Sequence, residues 1–221
     1  MMEPEKTIVI CDLDGTLIDS RADLATGVNR TRVNRELPEL DVDTVTSYIG
    51  DGARKLVERS FRGTGVDIDD ALEETKRHYR DAMLDQTYAY PTVAEGLELL
   101  KSKGFKLAVV TNKPHTHVHA ILDALGLLRF FDSIRGGSDE LPLKPDPAML
   151  FAAAADCGVE TAGGWVVGDN HTDIASARAA GTHVCFATYG FGDAKGLEAD
   201  MEVDSFAEFA EFLTGQRSNQ D

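Results

Sequence analysis

Short apolar segments alternate with amphipathic helical patterns along most of this 221-residue chain. Five apolar runs have the length of buried strands, and they cover residues 7–11, 106–111, 133–135, 165–168 and 183–187. This alternation predicts an α/β fold with a doubly wound parallel sheet. In such a sheet ligands bind beyond the carboxyl ends of the strands, so polar residues at those ends are the candidates for function.

Two helix starts carry the sequence pattern of a capping box. Thr92 and Glu95 precede one leucine-rich helical stripe, and Ser205 and Glu208 precede a phenylalanine-rich one. In such a box the hydroxyl and the acidic side chain each accept a hydrogen bond from the other residue's backbone amide. The pattern predicts helices that begin near residues 93 and 206.

Residues 20–88 break the alternation, because they are helical and polar and contain no convincing strand. We expect residues 1–19 and 89–221 to form a core domain and residues 20–88 a helical cap domain inserted after the first strand. A unit inserted at a strand end lies over the ligand site, where it can act as a lid that excludes water. The alternative is a passive packing unit.

The composition is that of an ordinary globular chain, with 43% hydrophobic and 27% charged residues. No apolar run approaches the roughly 20 residues that span a bilayer, and the N-terminus lacks a signal-peptide profile. We therefore expect a cytoplasmic protein. The three cysteines, Cys11, Cys157 and Cys185, have apolar neighbours and no C-x-x-C spacing, which is typical of reduced core residues.

A formal net charge of −16 argues against nucleic acid and membranes as partners. A small anionic substrate remains compatible, since distant charges are screened beyond about 8 Å at physiological ionic strength. We expect a monomer or homodimer that binds a small molecule. The acidic excess also suggests a hypothesis of adaptation to a salty cytoplasm.

The first apolar run ends in two carboxylates one residue apart, Asp12 and Asp14, followed by Gly15. Alternate strand residues share a face, and glycine permits a sharp exit from the strand. Two carboxylates in one small space require a cation or a shared proton, so the pair predicts a divalent metal, acid/base chemistry, or both. The alternative is a surface turn, where Asp and Gly are also common.

Later strands end in further polar residues. Thr111 and Asn112 follow the second run, Lys144 stands in a proline-bounded loop, and Asp169 and Asp173 follow the fourth run. Each is weak alone, because a threonine at a strand end is usually a β-former or a helix cap and a loop lysine is usually solvated. The common position of Asp12, Thr111 and Asp169 at strand ends is what predicts a site.

The order and spacing of these four motifs resemble the haloacid dehalogenase superfamily of phosphatases over nearly the whole chain. The resemblance implies a Rossmann-like core with a helical cap and a bound Mg²⁺. A receiver domain of two-component signalling is the competing phospho-aspartate fold. It is about half as long and carries its acidic pair and its phospho-acceptor on different strands.

By this resemblance, Asp12 is the nucleophile that forms an aspartyl phosphate, and Asp14 protonates the leaving alkoxide and later activates water. Mg²⁺ is held by the carboxylates of Asp12 and Asp169 and by the backbone carbonyl of Asp14, an oxygen-only set that suits a hard ion. The backbone amides of Gly15 and Thr16 are expected to help cradle the phosphate.

The resemblance also implies that Thr111 and the backbone of Asn112 hydrogen-bond the phosphoryl oxygens. Lys144 neutralises the charge that builds on those oxygens and on the nucleophile. Asp173 orients Lys144 or the waters of the metal. Loss of Lys144 is expected to damage catalysis more than folding.

The insert holds the substrate clue. Residues 48–59 form a glycine-flanked loop before a helix, with Gly52 and Arg54 as candidate anion-binding residues. The alternative is a tight turn with Asp51 as the helix cap. This stretch and residues 189–192 resemble phosphoglycolate phosphatases, so the expected reaction is hydrolysis of 2-phosphoglycolate to glycolate and phosphate.

Other functions stay open within the superfamily: a phosphosugar phosphatase, a pyrophosphatase or a β-phosphoglucomutase-like mutase. A phosphate-binding regulatory protein without turnover is the alternative that is not an enzyme. The dehalogenase branch is disfavoured, because it lacks the acid/base carboxylate that Asp14 supplies. A phosphonate hydrolase needs a Schiff-base lysine from the insert, but Lys55 and Lys76 lie in strongly charged helical contexts.

Three histidines, His115, His117 and His119, follow Pro114 at an expected helix start. Only His115 and His119 share a helix face, and two ligands without a third do not make a zinc site. The prediction for this segment is a solvated first turn.

Overall fold

A computed structural model describes residues 7–138 and 140–215. Its strands are β1 (Ile8–Cys11), β2 (Ile18–Asp19), β3 (Tyr88–Ala89), β4 (Lys106–Pro114), β5 (Ser133–Gly137), β6 (Trp165–Gly168), β7 (His183–Ala187) and β8 (Met201–Val203). Its α-helices are α1 (Arg21–Asn34), α2 (Val42–Thr46), α3 (Ala53–Ser60), α4 (Ile68–Ala82), α5 (Val93–Ser102), α6 (His115–Ala124), α7 (Ala148–Asp156), α8 (His171–Ala180) and α9 (Phe206–Thr214). A short 3₁₀ helix covers Leu128–Phe130.

Six strands form one parallel sheet in the order β5-β4-β1-β6-β7-β8, which confirms the predicted doubly wound α/β fold. The first strand lies inside the sheet between β4 and β6, and all four of its residues are buried. Alternate residues of β1 face opposite layers. Val9 and Cys11 belong to one apolar core and Ile8 and Ile10 to the other, so helices cover both faces.

The strand predictions were correct in position but incomplete. Strand β4 runs on to Pro114 with a register shift after Val110, and β5 runs on to Gly137. Strand β8 was missed, since three residues at a sheet edge carry too little pattern to be recognised. The antiparallel pair β2–β3 was missed for the same reason, as each strand has only two residues.

The two capping-box predictions fare differently. Thr92 takes a left-handed conformation, with φ of 69°, and its hydroxyl accepts a hydrogen bond from the amide of Ala207, so no box forms there. Ser205 accepts from the amide of Glu208 at 3.3 Å, but the Glu208 carboxylate accepts from Asp204 instead of Ser205. Both helices nevertheless begin where they were predicted, at residues 93 and 206.

Helices α1 to α4 occupy the chain between β2 and β3, as the helical pattern of residues 20–88 predicts. The buried carboxylate of Asp23 in α1 accepts hydrogen bonds from the amides of Gln86 and Thr87, just before β3. The start and the end of the helical segment are therefore joined. Whether this segment is a separate domain stays a prediction.

All three cysteines are free thiols, as predicted. Cys11 and Cys185 are buried, whereas Cys157 is only half-buried and packs against one of the apolar cores. Among the helices of the described residues, none has the length and apolar character needed to cross a membrane.

Candidate active site

Three carboxylates meet at the carboxyl end of the sheet. Asp12 follows β1, Asp169 follows β6, and Asp173 lies in the first turn of α8. One oxygen from each of them lies within 4.8 Å of the others. Adjacent parallel strands deliver their ends to one edge, which is why residues so far apart in sequence come together.

Lys144 crosses this cluster. It is 4% exposed, and its Nζ lies 2.8 Å from Asp12 Oδ1 and 2.6 Å from Asp173 Oδ1. The ammonium also donates to the carbonyl of Val110 at 2.8 Å. The side chain of Asn112 fixes the backbone of Lys144 by accepting from its amide and donating to its carbonyl. The structure therefore brings together Lys144 and Asp173, the pair that the sequence interpretation joined.

The cluster carries more negative charge than its lysine can balance. Burial raises the pKa of Asp12 to about 6, although the neighbouring Lys144 opposes this shift. Burial, and then the charge of Asp12, raises the pKa of Asp169 well above its usual range. Burial would lower the pKa of Lys144, but the two carboxylates beside it hold the pKa above its ordinary value. The residues therefore fit a hard divalent cation, which supplies the missing positive charge and prefers oxygen ligands.

Asp14 has its own partners. Its carboxylate accepts from Ser20 Oγ at 2.5 Å and lies 2.9 and 3.0 Å from Lys113 Nζ. The Lys113 side chain is 2% exposed, and its Nζ lies 4.6 Å from the ring centroid of Tyr79. The sequence interpretation missed Lys113 and Ser20. The position of Lys113 directly after the Thr111-Asn112 motif was the available signal.

Gly15 lets Asp169 approach the turn after β1. The φ angle of Gly15 is +88°, and a Cβ there would lie 1.9 Å from Asp169 Oδ2. The same oxygen accepts hydrogen bonds from the amides of Phe191 at 3.0 Å and Gly192 at 2.7 Å. The loop of residues 189–192 therefore orients Asp169.

The amides of Gly15 and Thr16 donate within the turn itself, whereas the sequence prediction has them donate to a phosphate. The Gly15 amide donates to the carbonyl of Ile18 at 2.9 Å, and the Thr16 amide donates to that of Leu13 at 3.3 Å. Both donors are used to close the turn itself. The carbonyl of Thr16 accepts from the hydroxyl of Tyr189 at 2.9 Å, which ties this turn to the loop after β7.

Thr111 is 2% exposed and lines the cavity beside the cluster, and its hydroxyl accepts from the amide of Lys113 at 3.2 Å. The Asn112 side chain also donates to the carbonyl of Gly50 at 2.9 Å. This bond links β4 to the loop before α3. The expected contacts of Thr111 and of the Asn112 backbone with phosphate stay predictions.

The loop before α3 places its candidate residues in different surroundings. Gly52, not Asp51, is the residue at the start of α3, and it lines the cavity. Asp51 forms an ion pair with Arg59 and lies 3.4 Å from His171 Nε2, so it is not the helix cap. Arg54 lies outside the cavity lining, with its side chain 55% exposed and paired with Asp69. The structure therefore gives Arg54 no contact with the site.

The helix of the three histidines also needs a correction. The rings of His115 and His119 pack edge to face at 5.4 Å on one exposed side, as their spacing predicts. His117 is instead buried and packs against Tyr79, also at 5.4 Å, in the cavity wall. A solvated first turn was therefore wrong for His117. The helical segment covers this side of α6 and excludes water from it.

The cavity has a charged floor and an apolar wall. The floor consists of Asp12, Asp14, Lys113, Lys144 and Asp169. The wall comes from the helical segment and includes Leu24, Ile49, Leu56, Val57 and Leu72. Such a wall shields the charged floor from water, which strengthens every electrostatic interaction within it.

Comparison with known proteins gives one consistent family. The family model of the haloacid dehalogenase-like hydrolases matches residues 9–187 of this chain. The phosphoglycolate phosphatase of Nitrosospira multiformis is 39% identical over 220 residues, which cover 95% of this chain and 96% of that protein. That of Colwellia psychrerythraea is 37% identical over 196 residues, covering 85% and 86%.

Comparison with solved structures gives the same kind of relative. A crystal structure described as a "predicted phosphoglycolate phosphatase" from Haemophilus somnus 129pt superposes with a TM-score of 0.84. The two sequences are 32% identical, and the match covers 96% of this chain and 98% of that one.

Proposed function

The chain belongs to the haloacid dehalogenase-like hydrolase family, and from that premise we propose that it is a Mg²⁺-dependent phosphatase that hydrolyses 2-phosphoglycolate through an aspartyl phosphate. The observation that carries the proposal is the buried meeting of Asp12, Asp169 and Lys144 beside Asp14 in one cavity. Two carboxylates with different neighbours can divide the work of nucleophile and acid/base.

Asp12 is the nucleophile of the proposed reaction. One of its carboxylate oxygens forms a bond to phosphorus while the bond from phosphorus to the glycolate oxygen breaks, and Asp14 gives that oxygen a proton. In the second half, water attacks the phosphorus of the aspartyl phosphate, Asp14 takes the proton, and Asp12 leaves as a carboxylate. One residue therefore serves both proton transfers.

Mg²⁺ would be held by the carboxylates of Asp12 and Asp169 and by the backbone carbonyl of Asp14. When bound, it would neutralise the charge on the nucleophile and on the phosphoryl oxygens. The excess negative charge of the cluster supports this assignment. Asp173 then serves to hold Lys144, its partner at 2.6 Å, in place.

Lys144 would neutralise charge on the phosphoryl group, and Thr111 and the backbone of Asn112 would donate hydrogen bonds to it. Because the ammonium of Lys144 already bridges two carboxylates, it is preorganised and needs little movement during the reaction. The same proposal includes residues 20–88 as a cap domain that excludes water from the site, since their apolar side chains line the cavity.

The choice of 2-phosphoglycolate rests on the relatives, several of which bear the name phosphoglycolate phosphatase. A phosphosugar phosphatase, a pyrophosphatase and a mutase would use the same charged floor of the cavity, so the floor does not distinguish these functions. We further infer a cytoplasmic enzyme, monomeric or homodimeric, that binds neither nucleic acid nor membranes, since a net charge of −16 is repelled by nucleic acid and by anionic membranes.

The test is phosphate release from 2-phosphoglycolate, sugar phosphates, pyrophosphate and p-nitrophenyl phosphate, each with Mg²⁺ and with EDTA. We expect Mg²⁺-dependent turnover with the highest kcat/KM for 2-phosphoglycolate. Asp12→Asn should abolish it, while Asp123→Asn on the exposed side of α6 should not. A higher kcat/KM for a sugar phosphate or pyrophosphate would overturn the assignment of 2-phosphoglycolate as the substrate. Activity that survives EDTA would overturn the proposed dependence on Mg²⁺.

A further inference from the structure

Tyr79 and His117 are buried residues of the cavity wall that the proposed phosphoryl transfer does not use. Tyr79 in α4 is 5% exposed and His117 in α6 is 6% exposed, and both line the cavity that contains Asp12 and Asp14. Their rings meet edge to face at 5.4 Å. The contact joins the helical segment to the sheet side of the molecule, so this corner of the cavity exists only while the two are together.

Each of these side chains buries a polar atom without a hydrogen bond of ordinary geometry. Within the described part of the chain, this holds for the hydroxyl of Tyr79 and for Nδ1 of His117. The hydroxyl interacts with the nearby ammonium of Lys113, which is itself a donor, so the capacity of the hydroxyl to donate a hydrogen bond is unused. A buried polar group without a hydrogen bond destabilises the folded state, so two of them in one cavity wall indicate a ligand that satisfies both.

The charges around this corner favour an anion. Lys113 lies 4.6 Å from the Tyr79 ring centroid. Burial and the positive charges of Lys113, Arg80 and Lys76 lower the pKa of His117 to about 4, with Asp14 opposing them. The imidazole is therefore neutral near pH 7, and three positive charges and the one negative charge of Asp14 act on it. It can offer an N–H to an acceptor without adding a charge of its own.

We propose that Lys113, Tyr79 and His117 form a subsite for a carboxylate on the organic half of the substrate. The subsite rests on the proposed phosphatase function and gives it a source of selectivity. An ammonium has three N–H donors, so Lys113 can hold Asp14 and a substrate carboxylate together. The enzyme therefore selects phosphate esters of short hydroxy acids over esters of plain alcohols.

The test compares 2-phosphoglycolate with ethyl phosphate, which has the same two-carbon skeleton without the carboxylate. The quantity measured is the ratio of kcat/KM for the two esters. Tyr79→Phe removes only the hydroxyl and should lower this ratio about 10- to 100-fold, the value of one hydrogen bond to a charged group. Tyr88 is half exposed and lies outside the cavity, and its hydroxyl donates to Asp19 at 3.2 Å. Tyr88→Phe is the matched control and should leave the ratio unchanged.

His117 permits an internal control on the nitrogen involved. His117→Asn places an amide close to the former Nδ1, and His117→Gln places it close to Nε2. We expect Asn to keep more of the substrate ratio than Gln does. Equal ratios in wild type, Tyr79→Phe and His117→Gln would overturn the subsite while leaving the phosphatase intact.

A failure of the phosphatase proposal can be separated from a failure of the subsite. Asp12→Asn cannot form the aspartyl phosphate, so calorimetry with this variant measures binding alone. Tighter binding of 2-phosphoglycolate than of ethyl phosphate, lost when Tyr79→Phe is added, would support the subsite even without turnover. Equal affinities for the two esters would overturn it.

Discussion

Single residues decide how the two carboxylates of the first turn divide their roles. Asp12 meets Lys144 and the other acidic residues, whereas Asp14 meets Lys113 and Ser20. The two side chains therefore lie in different electrostatic surroundings although they are two positions apart. This separation is what a nucleophile and a proton carrier need.

Asp14→Asn should lower kcat/KM for 2-phosphoglycolate on the order of 10²–10⁴, because the amide cannot protonate the alkoxide. The loss should be much smaller for p-nitrophenyl phosphate, whose leaving group needs little protonation. Ser20→Ala removes one hydrogen bond to Asp14 and serves as a milder comparison. Equal losses for both esters would contradict the role of Asp14 as an acid.

Gly15→Ala should disrupt the placement of Asp169, because the new Cβ would overlap Oδ2 of that residue. Gly63 has a similar left-handed φ, of 75°, with nothing within 4 Å, so Gly63→Ala measures the backbone strain alone, about 1–2 kcal/mol. Urea unfolding should show a larger loss for Gly15→Ala. Calorimetry should show weaker Mg²⁺ binding only in that variant.

His117 should make the protein less stable in mild acid. Its pKa is about 4 in the folded chain and about 6.5 when unfolded, so between these values only the unfolded state takes up the proton. The contribution of neutral His117 to the free energy of unfolding is complete above pH 6.5 and is lost as the pH falls toward 4. The loss is on the order of 1–2 kcal/mol once the pKa shift is discounted for solvent screening. His117→Asn should flatten this part of the profile in urea unfolding, whereas exposed His119→Asn should not.

The sequence predicted that Asp12, Asp14, Lys144 and Asp169 lie close together, because each stands at a strand end or in a distinctive loop, and all four line one cavity. It could not identify Tyr79, since one tyrosine in a polar helix carries no mark of the cavity it faces. Nor could it place Arg54, whose partner Asp69 is fifteen residues away and becomes a neighbour only through the packing of α3 on α4.

Among the elements, strands of four or more residues were predictable, and the strands of two or three residues were not. Strand β1 shows its burial in its letters, IVIC, whereas β2 and β3 exist only because the ends of the helical segment pair with each other. The capping box at Thr92 failed because tertiary packing gave its hydroxyl a partner on α9. Local signals yield to packing where the two compete.

Asp23→Ala should loosen the joint between α1 and β3. The buried carboxylate binds the amides of Gln86 and Thr87 and the Thr87 hydroxyl, and its removal leaves buried donors unpaired at about 1–3 kcal/mol. Proteolysis should then cut faster near residues 84–88. Asp85→Ala, at an exposed neighbouring position, is the control. Equal cleavage of both variants would show that the joint does not depend on Asp23.

On the scale of the whole molecule, negative charge acts in two separate ways. Thirty-eight acidic residues against twenty-two basic ones give a field that opposes the compact state. The buried cluster of Asp12, Asp169 and Asp173 adds a local repulsion that Lys144 relieves in part and that a bound cation would relieve further. The general field responds to any salt, whereas the cluster responds to a specific ion.

Thermal unfolding can separate these two contributions. Molar KCl should raise Tm because it screens the repulsion between surface charges. In a separate comparison, millimolar MgCl₂ should raise Tm more than KCl does at the same low ionic strength. A free Mg²⁺ concentration of 100 times the Kd adds about 2.7 kcal/mol to the free energy of unfolding. Asp169→Asn should lose the magnesium increment and keep the potassium one, because it alters one ligand and leaves the surface unchanged. A Tm that molar KCl does not change would remove the hypothesis of adaptation to salt, and an equal response to both salts would argue against the metal site.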